Sequence, residues 1–375
     1  MRESFNCAIL FVNKGNDATL ARVGLLGKHL IDYTVSQIRR LDVETIYLVG
    51  SLSFDLDGVI KRDNVEEIIS EIKSNEGKCL LVSCLYPLIE KEDYELLLGL
   101  DHSAVFVSKN NDIIPAFSID NKLLESYEIL DYEGIKLDEN KAKKFTGEKD
   151  IPSFESFLKD RVNKKLISKG VLITDNNNVV ISEDAIIDKD TIIYPNVVIE
   201  GKCLIGKNNV IKSNTYLKNV VLGDNNIINS SSISDSVIHN NVSIGNRCDI
   251  DSNTEIFDGV KVGSLVKLSD TKIGKDSEVE HLCFLGNGII GDNVKIGSGV
   301  ITVNSDERSK NSSIIKSHSV IGSNVSLLAP ITIGEYVVVA AGSTIDTDVR
   351  DGDMAIARLY QQNKKGYGYK YIKED

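Results

Sequence analysis

Aliphatic residues recur at every sixth position through most of the second half of the chain, with occasional steps of five. Six residues at about 100° each would turn a helical side chain away from its starting face, so an α-helix cannot keep this series on one side. The period instead predicts a triangular coil in which each hexad forms one short strand and one corner. The series comprises Ile181, Ile187, Ile193, Ile199, Ile205, Ile211, Leu217, Leu222, Ile228, Ile233, Ile238, Ile244, Ile250, Ile256, Val262, Leu268, Ile273, Val279, Leu285, Ile290 and Ile296, then Ile321, Leu327, Ile333, Val339 and Ile345.

Glycine and asparagine supply the corners of this coil. Many of the aliphatic residues are followed by Gly, as in Ile244-Gly245 and Ile290-Gly291, and Asn is frequent throughout the repeats. Both residue types tolerate the positive φ that a tight corner requires. Three hexads complete one turn and successive turns pair as parallel strands, so we expect a left-handed parallel β-helix of hexapeptide repeats. An antiparallel sandwich would instead alternate with a period of two.

The first part of the chain has a different pattern, in which short apolar runs alternate with helical periods. This alternation predicts an α/β domain with a parallel sheet of the nucleotide-binding type. Strands are expected at Cys7–Val12, Thr45–Val49, Lys78–Ser83 and Ala104–Ser108, and helices at Leu26–Leu41 and Val65–Ser74. The predicted domains are an α/β domain at 1–150, a linker helix at 151–170, the β-helix at 171–358 and a basic tail at 359–375.

Composition narrows the class of protein. No apolar run approaches the roughly 20 residues of a membrane span, and a net charge of −12 disfavours broad nucleic-acid binding. The six cysteines show no C-x-x-C spacing, so neither a zinc cluster nor a disulfide framework is expected, and no metal is predicted. The N-terminus lacks the features of a signal peptide. We therefore expect a reducing, cytoplasmic compartment.

Two stretches carry a family resemblance: SEVEHLCFLGNGIIGDNVKIGSGVITVN from Ser277 and SNVSLLAPITIGEYVVVAAGSTIDTDVRDGDMAIAR from Ser323. They resemble the acetyltransferase domain of the bifunctional N-acetylglucosamine-1-phosphate uridyltransferase / glucosamine-1-phosphate acetyltransferase family. The likeness runs from about Val242 to Gly366. The N-terminal part is similar only to a shortened, degenerate uridyltransferase (nucleotidyltransferase-like) domain. The resemblance implies a homotrimer that uses acetyl-CoA as co-substrate.

The residues on the donor side match this family. His281 falls on its catalytic histidine, which would remove the ammonium proton of an amine acceptor, and Asn304 falls on an asparagine that helps to hold the reacting groups. The backbone from Gly297 to Gly299 matches the region whose N–H would face the thioester oxygen. The remaining positions implied for coenzyme A are Ser323, Ala341 and Arg358.

The acceptor side departs from the family. Asp251 stands where the family has an arginine that grips the sugar phosphate, and this reversal of charge would repel a phosphate. The other expected substrate-binding positions also differ from the family, and Lys295 could supply positive charge from a new direction; these positions are Ser269, Phe284, Lys295 and Ser305. Two explanations remain open: a different amine acceptor, or loss of acetyl transfer and survival as a non-catalytic trimeric scaffold or regulatory protein.

The uridyltransferase features are largely missing. The family's Gly-rich phosphate loop is replaced by VNKGNDA from Val12, and its Mg²⁺-binding Gly-Asp is replaced by Ser83-Cys84. Cysteine is a poor ligand for a hard cation such as Mg²⁺. We therefore expect an acetyl-CoA-dependent N-acetyltransferase for an amino sugar or related amine, without nucleotidyl transfer.

Overall fold

The computed structural model describes residues 5–12, 16–50, 52, 54–72, 77–126, 132–305 and 309–370. These residues form two compact units, Met1–Leu158 and Lys159–Asp375. None of the described helices is both long enough and apolar enough to cross a membrane.

The first unit contains a seven-stranded sheet with helices in its connections. Its strands are β1 Phe5–Val12, β2 Gly24–Leu25, β3 Lys28–His29, β4 Thr45–Gly50, β5 Val59–Arg62, β6 Lys78–Ser83, β7 Ala104–Val107, β8 Ile113–Asp120 and β9 Glu133–Lys136, and its helices are α1 Asn16–Leu20, α2 Leu30–Arg39, α3 Val65–Glu71 and α4 Lys91–Leu98. The sheet order is β5-β4-β1-β6-β8-β7-β9, while β2 and β3 pair separately. The expected α/β class is confirmed.

Strand β8 makes this sheet mixed. The neighbours of β1 run parallel to it, as the sequence predicts, but β8 runs antiparallel to both β6 and β7. The expectation of a parallel sheet was therefore wrong for this part of the sheet. Strand β8, which the apolar pattern did not predict, lies between the predicted strands β6 and β7. The end of the helix expected at Val65–Ser74 lies outside the described residues.

A disulfide joins Cys7 of β1 to Cys79 of β6. These residues are direct partners in the parallel register of the two strands, and both side chains are almost fully buried. No disulfide was foreseen from the cysteine spacing, which had argued only against a disulfide framework. Sequence spacing could not reveal it, because the two residues are 72 positions apart and only the sheet brings them together.

Helix α5, Ile151–Ser168, precedes the coils of the second unit. The coils stack into three parallel sheets, which we call faces 1, 2 and 3. Face 1 contains β10 Leu172–Ile173, β13 Ile192–Ile193, β16 Val210–Ile211, β19 Ile227–Ile228, β22 Ser243–Ile244, β25 Lys261–Val262, β28 Glu278–Val279, β31 Lys295–Ile296, β34 Val320–Ile321, β37 Val338–Val339 and β39 Met354–Ala355.

Faces 2 and 3 complete each coil. Face 2 contains β11 Val180–Ile181, β14 Val198–Glu200, β17 Tyr216–Lys218, β20 Ser232–Ser234, β23 Asp249–Asp251, β26 Lys267–Ser269, β29 Phe284–Gly286, β32 Ile301–Val303, β35 Ser326–Leu328 and β38 Thr344–Ile345. Face 3 contains β12 Ile186–Ile187, β15 Leu204–Ile205, β18 Val221–Leu222, β21 Val237–Ile238, β24 Glu255–Ile256, β27 Lys272–Ile273, β30 Gly288–Ile290, β33 Ser313–Ile315 and β36 Ile331–Ile333.

The six-residue series lines the inside of this prism. Every residue of the predicted series is at most 5% exposed, and burial of such side chains contributes about 1.5–3 kcal/mol each. The corners carry positive φ, commonly at asparagine, as at Asn208 with φ 58°. The predicted parallel β-helix of hexapeptide repeats is confirmed. The interruption near Val303–Ser313 lies at a corner, and residues 306–308 within it are outside the described part of the chain.

Candidate functional site

One edge of the prism, where face 1 turns into face 2, carries most of the residues expected on the donor side. Val279, Ile296, Ile321 and Val339 are register partners on successive coils. The residues two positions further along the chain are therefore stacked on this edge, which we call edge 1–2. They are His281, Ser298, Ser323 and Ala341. With coils about 4.8 Å apart, the column from His281 to Ala341 spans about 14 Å.

His281 is held at edge 1–2 by the coil before it. The backbone N–H of Ser264 donates a hydrogen bond of 2.8 Å to Nδ1 of His281, while Nε2 lies 3.7 Å from a carboxylate oxygen of Glu280. Because Nδ1 accepts this bond, the neutral ring carries its proton on Nε2. The side chain is 57% exposed, so Nε2 can reach a ligand as a donor, whereas the basic lone pair is occupied by Ser264.

Glycine at position 263 makes room for this imidazole. A Cβ atom there would lie 2.8 Å from Nδ1 of His281 and would force the ring to move. A similar restriction holds two coils further on, where a Cβ at Gly297 would lie 2.7 Å from the backbone nitrogen of Ser323. The glycines that follow the aliphatic repeats thus allow the close stacking of this edge.

The backbone amides on edge 1–2 differ in their availability. Gly297 donates its N–H to the carbonyl of Ile321 at 2.8 Å, and Gly299 donates to the carbonyl of His281 at 2.9 Å. Both glycine amides of the segment expected to face the thioester are therefore occupied by hydrogen bonds to neighbouring coils. Between them, the N–H of Ser298 has no acceptor among the described residues, and the same holds for the N–H groups of Ser323 and Ala341. Sequence matching had not singled out Ser298.

Arg358 lies beyond the last coil of face 1. Ala355 pairs with Val339. Two residues further on, Ala357 is therefore level with Ala341, and Arg358 is the next residue. Arg358 is exposed, and within the described residues it forms no ion pair. The guanidinium is therefore available to an anionic group near the end of edge 1–2.

Asn304 lies on a different edge, where face 2 turns into face 3. Its Nδ2 donates to Oδ1 of Asn287 at 2.6 Å, and its carbonyl accepts from the N–H of Asn311 at 2.7 Å. Within one chain, His281 and Asn304 therefore border face 2 from opposite sides. The structure does not bring these two expected catalytic residues together in a single copy.

Face 2 carries three of the residues expected on the acceptor side. Asp251 and Ser269 are register partners, and Phe284 lies one coil further on, paired with Lys267. Lys267 was not among the expected residues, yet its ammonium bridges Asp249 at 2.6 Å and Asp251 at 2.5 Å. Asp251 is therefore neutralised by a lysine one coil away, which the linear sequence did not indicate.

The ion pair between Lys267 and Asp251 shifts the pKa of both groups. Burial opposes ionisation of Asp251, but hydrogen bonds and the charge of Lys267 outweigh it and hold the pKa of Asp251 below its ordinary value. Burial likewise lowers the pKa of Lys267, and its bonds to Asp249 and Asp251 outweigh burial and raise the pKa above its ordinary value. Asp251 and Lys267 are therefore both charged at neutral pH.

The other two expected acceptor residues lie elsewhere. Lys295 is on face 1, in register with Glu278, and so does not supply positive charge to face 2 of its own chain. Ser305 pairs with Lys310 across the insertion at the edge of faces 2 and 3. One copy of the chain thus groups Asp251, Ser269 and Phe284, but not all five.

In the first unit, Cys84 occupies the position where the resemblance implies a carboxylate that binds Mg²⁺. Cys84 is fully buried, and burial together with Asp17 raises the pKa of its thiol to about 12. A protonated thiol does not bind Mg²⁺. Within the described residues, no three His, Cys, Asp or Glu side chains converge as a metal site would require. Residues 13–15 of the expected phosphate loop are outside the described part of the chain.

Comparison with solved structures returns matches of low similarity. The acyltransferase described as UDP-N-acetylglucosamine acyltransferase of Francisella novicida matches at 21% identity and a TM-score of 0.35, covering 50% of this chain and 67% of that chain. The 4-diphosphocytidyl-2C-methyl-D-erythritol synthase of Anaerococcus prevotii matches at 12% identity and a TM-score of 0.33, covering 41% of this chain and 96% of that chain.

Sequence comparison gives closer matches. Residues 232–353 match the family model described as the GMPPB C-terminal domain. The bifunctional protein GlmU of Caldicellulosiruptor saccharolyticus is 39% identical over 213 residues, which are 57% of this chain and 46% of that protein. GlmU of Shouchella clausii is 40% identical over 213 residues, which are 57% of this chain and 47% of that protein. The chain spans about half the length of these curated relatives, and over the matched part it is similar to GlmU, as its sequence motifs indicate.

Proposed function

We propose that this protein is an acetyl-CoA-dependent N-acetyltransferase that acts on an amino sugar or related amine and lacks uridyltransferase activity. The observation that carries the proposal is edge 1–2, where His281 and the free backbone N–H groups of Ser298, Ser323 and Ala341 form one column. An extended donor with amide groups would find hydrogen-bond donors at successive coils along this edge, and Arg358 near its end would pair with a phosphate.

The chemistry requires a nucleophilic amine and a polarised thioester. The amine nitrogen attacks the thioester carbon, a C–N bond forms, and the C–S bond breaks to release coenzyme A as a thiolate. In our proposal the N–H of Ser298 donates to the carbonyl oxygen as it becomes negative, and His281 takes the proton that the amine loses. His281 must first release the N–H of Ser264, because that bond occupies its basic lone pair.

A homotrimer is part of the same proposal. Because His281 and Asn304 lie on opposite sides of face 2 in one chain, a complete set of expected catalytic residues needs the edge of a second copy beside the first. The acceptor would then enter between neighbouring copies. We propose the cytoplasm as the compartment of the reaction.

Loss of uridyltransferase activity rests on Cys84. A buried thiol that stays protonated stands in place of the carboxylate that the resemblance implies for Mg²⁺. UTP consumption in the presence of Mg²⁺ and a sugar phosphate would contradict this part of the proposal.

The second candidate is a non-catalytic trimeric scaffold, which the bond between Ser264 and His281 favours because it occupies the base. Calorimetry with acetyl-CoA, combined with thiol release in the presence of a panel of amines, distinguishes the two. Binding with turnover supports the acetyltransferase. Absence of both acetyl-CoA binding and turnover would leave the scaffold.

A further inference from the structure

Near His281, the outward-facing side chains of face 2 form a salt-bridged triad of Asp249, Lys267 and Asp251 beside an apolar surface. The triad consists of Lys267 and its two carboxylate partners, Asp249 and Asp251, which lie on the preceding coil. The side chain of Lys267 is 31% exposed, and the triad carries a net charge of −1. A phosphate that approached this face would meet two carboxylates and an ammonium that is already paired.

The coils on the other side of this triad present apolar groups. Phe284, in register with Lys267, is 36% exposed, and Ile301 and Val303 on the next coil are each 44% exposed. An aromatic ring beside aliphatic side chains suits the C–H face of a sugar ring or the carbon skeleton of an amine, and it offers no partner to an anion.

The remaining cations lie at the borders of the region. Arg247 is exposed at edge 1–2, on the coil of Asp249. Lys310, at the opposite edge, leans towards Asp270 with a separation of 3.8 Å. Lys295 is on face 1 beside Glu278. None of them lies on face 2 itself, so the face selects against a dianion, and Arg247 has no ion-pair partner among the described residues.

We propose that the acceptor amine lies over face 2 and carries no phosphate group, its class being an unphosphorylated amino sugar or a comparable polar amine. This inference rests on the proposed acetyltransferase function and specifies its substrate class. The triad of Asp249, Lys267 and Asp251 contributes a negative field that favours the approach of an ammonium group, and the surface of Phe284, Ile301 and Val303 receives its carbon skeleton.

A matched pair of substrates tests the proposal. Thiol release from acetyl-CoA is measured with glucosamine and with glucosamine 1-phosphate, and with further amines in both forms. The expected kcat/KM is at least about tenfold higher for the unphosphorylated member, because the negative charge of a phosphate close to a net negative face costs at least that much. A preference for the phosphorylated member would overturn the inference and leave the acetyltransferase standing. Failure of every unphosphorylated amine to react would also overturn the inference. Failure to bind acetyl-CoA would remove the proposed function itself.

Two variants locate the effect. Asp251→Arg should move the ratio of the two kcat/KM values towards the phosphorylated substrate by about tenfold or more. Asp188→Arg makes the same change of charge on an exposed residue several coils away and should leave the ratio unchanged. If both variants shift the ratio equally, the selectivity does not arise at face 2. If the wild type prefers the phosphorylated substrate and Arg247→Ala abolishes that preference, the phosphate is held at edge 1–2 and the inference is wrong.

Discussion

The N–H of Ser264 donates to Nδ1 of His281 at 2.8 Å, which places the proton of the neutral imidazole on Nε2. A base that must accept a proton needs a free lone pair, and this bond occupies it. Proton transfer therefore competes with a backbone hydrogen bond, and the ring must leave Ser264 when it accepts a proton.

Replacement of His281 tests its role directly. His281→Ala should lower kcat for acetyl transfer by about 10²–10⁴-fold, the contribution typical of a general base, and should leave acetyl-CoA binding nearly unchanged. His318→Ala is the matched control, because His318 is a corner histidine on a different edge, stacked on Tyr336. Equal activity of the two variants would contradict a catalytic role for His281.

The amide of Ser298 can be removed with proline. Ser298→Pro deletes the N–H that is free in the column, and kcat should fall by about 10²–10³-fold, as for loss of one oxyanion donor. The equivalent position of an earlier coil is occupied by Pro195, which follows strand β13 as Ser298 follows β31, so the coil accepts proline there.

Ser213→Pro provides the control for this experiment, because Ser213 has the equivalent position after β16, remote from His281. Both variants should unfold at similar temperatures. An active Ser298→Pro variant that unfolds as the wild type does would exclude the N–H of Ser298 from catalysis.

Arg358 should contribute to binding of the donor. Arg358→Ala is expected to raise the Kd for acetyl-CoA by about tenfold, since a charge-assisted bond to a phosphate is worth about 1.5–3 kcal/mol. Calorimetry should show the same decrease for coenzyme A and a smaller one for a donor without its nucleotide phosphates. Arg350→Ala, at another exposed position near the end of the prism, should bind acetyl-CoA normally. A loss of affinity in both variants would indicate a general effect of charge.

The disulfide of the first unit can be counted chemically. Of the six cysteines, Cys84, Cys203, Cys248 and Cys283 are free, so the denatured, unreduced protein should show four thiols and the reduced protein six. Reduction should also destabilise the first unit, by about 4 kcal/mol for a loop of 72 residues in the chain-entropy account. Six thiols before reduction would show that Cys7 and Cys79 remain unpaired in the purified protein.

Acid should destabilise the β-helix through its paired carboxylates. The pKa of Asp251 lies below its ordinary value of 3.8 despite burial, because Lys267 pairs with it. Its contribution is therefore complete above the pKa of the unfolded chain and is lost as the pH falls through the lower, folded value. Unfolding temperatures measured from about pH 7 down to pH 2 should fall mainly below about pH 4.

Removal of Lys267 identifies its share of this acid sensitivity. In Lys267→Met the carboxylate of Asp251 keeps its burial and loses its partner, so its pKa should rise and destabilisation should begin at a higher pH. Lys207→Met, an exposed position with no ion pair among the described residues, is the control and should follow the wild type. Coincident pH profiles for all three proteins would mean that the triad contributes no measurable stability.

The sequence by itself determined the prism, because an aliphatic residue in every hexad can be buried only if the chain turns through a corner after each one. Ile244, Ile273 and Val339 illustrate this: each is buried at the position that the period predicts. Residue spacing is sufficient for such features because one repeat fixes the position of the next.

Only the tertiary structure decided which groups meet across coils and strands. Lys267 binds carboxylates 16 and 18 residues away, and Cys7 meets Cys79 from 72 residues away, because parallel strands bring them into register. The structure likewise separated Asn304 from His281 by the width of face 2, and showed that the free amide is that of Ser298 and not of Gly297 or Gly299. These relationships depend on which hydrogen bonds the stacked coils use, and a linear pattern of residue types does not contain that information.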